Sequence, residues 1–233
     1  MAILNELHHA YLVGCFYDEL KRAYGDMGVL AFQRGAKIYG EQRGNRMAMR
    51  AIRDGNDLSY DSYFQYGEWR NTPELCRIER STTDGVMLSE NFVCPWHTQF
   101  RAMGMLDCGL AYCSVIDRTL IRGFNPELEF DLESVLHDSP SCRLLFHVGT
   151  ERKQPKPKEH PTVLPLEYHC AHVYWTYART ITSMFGDEGA AIAARVRERF
   201  AAEYGQEALD IVLWYEGCDF TCLPEAPYDK YLD

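Results

Sequence analysis

The first part of the chain carries apolar residues at the spacing of two α-helices. Residues 2–24 form the first periodic stretch, and a Gly-Asp step interrupts it. Asp is a favourable N-cap residue, so a second helix is predicted to start near Asp26 and to run to about Arg53. An Asp-Gly step then ends the pattern. Residues 1–56 are therefore predicted to be an N-terminal helical segment.

Two pairs of stretches in the middle of the chain alternate polar and apolar residues, the pattern of half-buried β-strands. Residues 75–80 and 86–93 flank Asp84-Gly85, which is a strong signal for a tight hairpin turn. Residues 128–133 and 142–148 form the second pair, separated by a turn rich in Asp, Ser and Pro. The sequence therefore predicts two β-hairpins.

A helix is predicted between the two hairpins. It opens at Cys94-Pro95, because proline suits the first turn of a helix, and it continues to about Ile121, with a break near Gly109 as an alternative. A Gly-Phe-Asn-Pro sequence then ends it. Residues 74–150 are thus predicted to form a hairpin–helix–hairpin core.

The remainder of the chain is predicted to be a loop followed by helices. Residues 150–165 are rich in Lys and Pro, which indicates a surface loop rather than core. The C-terminal part, 167–233, shows helical periodicity over 167–185, 188–204 and 206–216 and then an irregular tail.

The order of these elements defines the predicted fold class. Helices, a hairpin, a helix, a hairpin and further helices follow one another, without β–α–β alternation and without a glycine-rich phosphate loop. We predict an α+β fold in which the two hairpins form a small antiparallel sheet packed against several helices. The chain of 233 residues is long enough to bury a core and is expected to be a single domain, 1–233.

A short motif occurs twice, each time before a predicted helix. The distances from the motif to the next Tyr-Gly pair differ, and Gly-Asp is a common way to start a helix. We therefore interpret the motif as helix-start chemistry rather than as evidence of an internal repeat. Its two copies are Gly25-Asp26-Met27-Gly28 and Gly186-Asp187-Glu188-Gly189.

Charge and composition restrict the partners. The formal net charge of -10 is poorly suited to nucleic acid, and no stretch approaches the ~20 apolar residues of a membrane helix. The start of the chain does not resemble a secretory signal, so we expect a cytoplasmic protein with reduced thiols. Nine cysteines, an odd number, cannot form a complete disulfide framework. Aromatic residues between 60 and 69 and the apolar first helix could join copies of the chain into a homo-oligomer.

The candidate chemistry centres on thiols beside a carboxyl group. Cys113 and Asp117 are four residues apart on the predicted helix and so share a face. A nearby carboxylate raises the pKa of a thiol, so Asp117 could carry a proton but could not stabilise a thiolate. A nucleophilic Cys113 would need a cationic neighbour. Cys142, at the start of a strand, could lie close by; simple packing of both thiols is the alternative reading.

A second set of residues could hold zinc. Cys94 and His97 at a helix start, with His169 and His172 on a later helix, could supply four ligands. The chain lacks a pair of Cys-x-x-Cys motifs and a His-Glu-x-x-His motif, so zinc is the weaker hypothesis and we expect no cofactor. His169 and His172 could instead act as a general base near the thiol.

Several motifs in sequence order resemble one known family. The chain resembles the L-2-amino-thiazoline-4-carboxylic acid hydrolase family over roughly residues 25–150, including the small-residue and arginine helix 35–50. The motifs are Cys94-Pro95, Tyr112-Cys113-x3-Asp117, Gly123-Phe124-Asn125-Pro126 and Cys142-x3-Phe146. The family tends to have Gly-Asp shortly before the second cysteine, whereas this chain has His137-Asp138-Ser139-Pro140-Ser141-Cys142. A fainter similarity links the two cysteines and the aspartate to organomercurial lyases.

The resemblance implies hydrolysis of a small heterocycle at a carbon bonded to N and S, or to two N atoms. Cys113, Asp117 and Cys142 would be catalytic: a thiol attacks the ring carbon, a carboxylic acid protonates the departing ring atom, and water releases a carbamoyl product. Direct attack by water, with Asp117 as base, is the competing mechanism, and a non-enzymatic small-molecule sensor is the competing function. Candidates for substrate binding are Tyr112, Arg122, Asn125, Arg143 and His147, of which the arginines could hold a carboxylate.

Overall fold

Two long helices begin the fold, as predicted. The structure, a computed structural model, describes residues 4–224. Helix α1 spans Glu6–Tyr24 and helix α2 spans Asp26–Arg53. The side chain of Asn5 caps α1 by accepting a hydrogen bond from the backbone of the first turn. Gly25, with φ 55°, lies between the two helices.

The first hairpin follows a short helical region. Helix α3 spans Tyr60–Gln65, and a single 3-10 turn covers Pro73–Leu75. Strand β1 spans Arg77–Thr83 and strand β2 spans Val86–Val93. Both residues of the intervening Asp-Gly turn have positive φ, 48° and 78°, the conformation that a two-residue hairpin turn requires.

The second hairpin completes one antiparallel sheet. Strand β3 spans Phe130–Ser134 and strand β4 spans Cys142–His147. The strand order is β1-β2-β4-β3, so the two hairpins meet through β2 and β4. The predicted α+β class, with a small antiparallel sheet built from two hairpins, is confirmed.

The prediction of one continuous helix between the hairpins is wrong. The segment forms three short helices, namely α4 (Pro95–Ala102), α5 (Leu106–Cys113) and α6 (Ile116–Phe124). Gly104, with φ 68°, turns the chain between α4 and α5. The second break falls between Cys113 and Ile116, where neither Gly nor Pro marks it in the sequence.

The C-terminal helices match the prediction closely. Helix α7 spans Leu166–Phe185, α8 spans Asp187–Tyr204 and α9 spans Gln206–Trp214. Residues 148–165 contain neither helix nor strand. Residues 225–233 of the predicted irregular tail lie outside the described residues, as do residues 2 and 3 of the first predicted helix.

The described residues form two buried clusters. The larger one joins α1, α2, α5 and α7–α9. The smaller one lies between the sheet, α2, α3 and α6, and includes Met47, Phe124 and Phe146. Within residues 4–224, no helix is long and apolar enough to cross a membrane.

Candidate functional site

A cavity of about 310 Å³ lies between the inner face of the sheet and helices α2, α5 and α6. The strand register sets its floor, because alternate residues of a strand point to the same face. Ser89 and Asn91 of β2 therefore face the cavity beside Leu144 and Cys142 of β4, their partners across the ladder. The lining thiols are Cys76, Cys94, Cys113 and Cys142, and the lining aromatic side chains are Tyr63, Phe64, Trp69, Trp96, Tyr112 and Phe146.

Cys113 and Asp117 line this cavity together with Cys142. The predicted proximity of the first two is therefore present, although its origin differs. Cys113 is the last residue of α5, and Asp117 lies in the first turn of α6. The break between the two helices, rather than a shared helical face, directs both side chains into the same cavity.

His137 is the candidate base for the Cys113 thiol in this cavity. Its Nε2 atom lies 3.3 Å from Sγ of Cys113, a hydrogen-bonding distance for sulfur. His137 follows β3 in the turn before β4, and its ring packs on α5 where residue 109 is glycine. A Cβ atom on Gly109 would lie 2.2 Å from the ring, so any larger residue would displace His137.

The cavity perturbs the pKa values of its acids and bases. Burial raises the pKa of Asp117 to about 6, although Arg43 acts to lower it. Burial, reinforced by the Cys94 thiol and by Asp117, raises the pKa of Cys113 well above its usual value. Burial and the neighbouring His97 lower the pKa of His137 to about 4. The resting site therefore contains a thiol, a neutral imidazole and a carboxyl group that titrates near neutral pH.

Arg43 of α2 brings a positive charge to the cavity. Its side chain is 11% exposed, and its guanidinium lies 4.6 Å from the centroid of the Trp69 ring. The Nε atom is 3.7 Å from Oε2 of Glu68, too far for a hydrogen bond, and has no partner among residues 4–224. Helix α6 reaches α2 closely because residue 44 is glycine: a Cβ there would lie 2.0 Å from the carbonyl oxygen of Leu120.

The other predicted substrate-binding residues divide into two groups. Tyr112 lines the cavity. Arg143 and His147 do not, because they alternate with Cys142 along β4 and so point to the opposite face of the sheet. There Arg143 binds Glu90 and Glu133, and Nε2 of His147 lies 2.8 Å from Asp131.

Arg122 and Asn125 also lie away from the cavity lining. Arg122 is exposed on α6. Asn125 ends that helix: its side-chain amide donates to the carbonyl of Leu58, and its Oδ1 accepts from the backbone N–H of Glu127. Its contacts stabilise the turn after α6.

The histidines and thiol proposed as zinc ligands do not form a ligand group. Within residues 4–224, no three His, Cys, Asp or Glu side chains come together as metal ligands. His169 and His172 are buried in α7, where Nε2 of His169 contacts the backbone carbonyl of Glu68 and Nε2 of His172 contacts Gln42. His97 lines an outer cleft on the far side of His137, whereas Cys94 lines the inner cavity.

His169 and His172 are also outside the cavity lining, so neither is placed to serve Cys113 as a base. Sequence reasoning missed the two residues that are placed beside the reactive groups, His137 and Arg43. The sequence contains a signal for Arg43, because Arg43, Arg46 and Arg50 share one helical face. A row of arginines on a helix of small residues indicates that a buried anion lies beside it. The nine cysteines are all free thiols in this structure.

Together, the fold and the cavity define an α+β protein with a largely apolar pocket that contains a few polar groups, the usual form of a small-molecule site. The sequence profile of the L-2-amino-thiazoline-4-carboxylic acid hydrolase family matches residues 5–144. That match spans more than half of the 233 residues, and the chain belongs to this family. No curated protein and no solved structure matches it.

Proposed function

We propose that this protein is a hydrolase that opens a small N- and S-containing ring of the 2-amino-thiazoline-4-carboxylate type, with Cys113 as nucleophile. The family name supports the reaction class. The observation that carries the mechanism is the 3.3 Å contact between Cys113 Sγ and His137 Nε2 in a cavity that also contains the raised-pKa carboxyl group of Asp117. Cys142 lines the same cavity, and its side chain interacts with the amide of Asn91, which is not a base.

In the first half of the proposed reaction, the thiol opens the ring. Sγ of Cys113 adds to the ring carbon that is bonded to N and S, and neutral His137 accepts the thiol proton. Protonated Asp117 donates its proton to the departing ring heteroatom as the bond from that atom to the ring carbon breaks. The ring carbon stays bonded to Cys113.

Water completes the reaction in the second half. It adds to the bound carbon while the Asp117 carboxylate accepts one of its protons. The carbon–sulfur bond to the enzyme breaks, the carbon leaves as a carbamoyl group, and His137 returns its proton to Cys113. Substrate and one water molecule become one product, and each side chain regains its initial protonation state.

Mass spectrometry of the reaction with 2-amino-thiazoline-4-carboxylate tests the proposal. We expect a product heavier by one water molecule from the wild type, and activity lower by orders of magnitude in Cys113→Ser. Cys222→Ser, which alters an exposed thiol, is the matched control and should behave as the wild type. Full activity of Cys113→Ser would exclude the covalent mechanism, and loss of activity in Cys142→Ser alone would move the nucleophile to Cys142.

A further inference from the structure

The carboxylate of Glu68 is held by two arginines of α2. Arg46 donates to both of its oxygens, at 2.9 and 2.7 Å, and Arg50 donates to Oε1 at 2.6 Å. Glu68 and Arg46 are fully buried. Burial would raise the pKa of Glu68, but Arg46 and Arg50 lower it to about 2, so the carboxylate is ionised.

Arg43 is the third arginine on the same helical face, and Glu68 does not satisfy it. A guanidinium remains charged in proteins, so three positive charges surround the single negative charge of Glu68. Arg43 acts to lower the pKa of the cavity-facing carboxyl group of Asp117, but burial raises that pKa to about 6, so part of Asp117 is neutral near pH 6. Arg43 therefore lines the cavity and has a buried Nε donor that no described residue satisfies.

An anion in the cavity is the partner that would satisfy this donor. A buried donor without a hydrogen-bond partner is costly, so a ligand oxygen that accepts from Arg43 would be favoured. Arginine donors match the two oxygens of a carboxylate. The volume of about 310 Å³ is at the small end of ligand pockets, which fits a five-membered ring with one substituent.

Asn91 provides a complementary group on the floor of the cavity. Its Oδ1 atom is buried and has no hydrogen-bond partner among the described residues. An oxygen acceptor there suits an N–H donor of the ligand. The two unpartnered groups thus have opposite hydrogen-bonding roles, one donor for an anion and one acceptor for an amine or ring N–H.

We propose that Arg43 binds the carboxylate of the substrate and is the residue by which this cavity selects carboxylated rings over neutral ones. This inference rests on the proposed function for the identity of the ring, but its test measures binding and requires no turnover. Arg122 and Arg143, the arginines predicted from sequence, would have no part in it.

Titration calorimetry with two unreactive ring compounds tests the inference. The probes are 1,3-thiazole-4-carboxylate and its neutral counterpart, 1,3-thiazole-4-carboxamide, at pH 5.5. A charge-assisted hydrogen bond to a carboxylate is stronger than a neutral one to an amide, so we expect the wild type to bind the carboxylate at least about tenfold more tightly. Arg43→Gln should abolish that preference and leave carboxamide binding unchanged.

Two further variants keep the result interpretable. Arg43→Lys retains the charge without the two-pronged donor and should keep a reduced preference. Arg80→Gln alters the exposed arginine that also lines the cavity and should retain the full preference. The inference is overturned if the wild type binds both probes equally or neither, or if the preference disappears in Arg80→Gln and persists in Arg43→Gln. Ring opening without carboxylate preference would overturn this inference and leave the proposed function standing.

Discussion

At the scale of single residues, the cavity raises the pKa of an acid and lowers the pKa of a base. Burial disfavours the charged form of each, so the pKa of Asp117 rises to about 6 and that of His137 falls to about 4. Between these values, Asp117 is protonated while His137 is neutral. That combination is the one the proposed reaction requires before ring opening.

The first prediction concerns the pH dependence of kcat/KM. Activity should rise as His137 loses its proton near pH 4 and fall as Asp117 loses its proton near pH 6, because only protonated Asp117 can protonate the leaving atom. Steady-state assays from pH 3.5 to 8.5 measure both limbs. Asp117→Asn should remove nearly all activity while retaining the wild-type unfolding temperature. A profile that rises through pH 6 to a plateau would instead assign Asp117 as the base in direct water attack.

The sequence could predict which residues share the cavity better than it could predict their partners. Residue type and spacing single out Cys113 and Asp117, and the family resemblance adds Cys142. Alternation along a strand would also have excluded Arg143 once Cys142 was taken as inward-facing. His137 was not predictable, because its contact with Cys113 depends on how a turn packs against α5, which no local pattern encodes.

At the scale of elements, the two Gly-Asp-x-Gly motifs form the same helix corner. Gly25 and Gly186 each end one helix and precede the next, with φ/ψ of 55°/−129° and 57°/−130°. Three residues later, a Cβ on Gly28 or Gly189 would lie 2.0 or 2.2 Å from the carbonyl oxygen eight residues before it. The interpretation of the motif as helix-start chemistry was therefore incomplete: it encodes a corner used twice.

The second prediction is that a side chain at Gly28 or Gly189, three residues after the glycine of each corner, destabilises the fold. Gly28→Ala and Gly189→Ala should each lower the free energy of unfolding by about 1–3 kcal/mol, because the helices must move apart. Urea unfolding followed by circular dichroism measures the change. Gly217→Ala, where nothing lies within 4 Å, is the matched control and should differ little from the wild type. Equal stabilities of all three variants would contradict the close packing of the corners.

Helices and strands are predictable where the sequence contains both a hydrophobic periodicity and residues that end the element. The hairpin turn and the helices on either side of the two corners have both, and their predicted bounds agree with the structure within a few residues. The break after Cys113 lacks a stop signal: Ser114-Val115 leaves the helix because α5 and α6 pack against different parts of the molecule. Tertiary packing, rather than local propensity, decides that bend.

At the scale of the whole molecule, the Glu68 cluster joins distant parts of the chain. Glu68 binds Arg46 and Arg50 of α2, and its backbone carbonyl accepts from Leu164 and contacts His169 of α7. Arg46 also donates to the carbonyl of Phe220. The family profile ends at residue 144, yet the cluster behind the cavity includes residues well beyond it.

The third prediction is that this cluster dominates stability. Glu68→Gln should lower the free energy of unfolding by about 3–5 kcal/mol, because it leaves buried guanidinium groups without their carboxylate. Glu133→Gln removes an exposed partner of Arg143 and should cost at most about 1 kcal/mol. Chemical denaturation at pH 7 compares the two variants. Similar losses in both would mean that the buried cluster contributes no more than a surface pair.

The sign of the pH effect on this cluster follows from the lowered pKa of Glu68. The contribution of Glu68 to the free energy of unfolding is fully present above its ordinary pKa of 4.5. It is lost as pH falls toward about 2. The stability difference between the wild type and Glu68→Gln should therefore shrink over that interval. A difference that stays constant down to pH 2 would show that Glu68 is not held as an ion pair.

The unpartnered Nε donor of Arg43 links the supply of substrate to the amount of folded protein. An empty cavity leaves that buried donor without a hydrogen bond, so the empty form is the less stable one. A bound carboxylate would stabilise the folded state in proportion to the logarithm of its concentration above Kd. Because marginally stable proteins are continuously removed from cells, the abundance of this protein would then follow the availability of its own ligand.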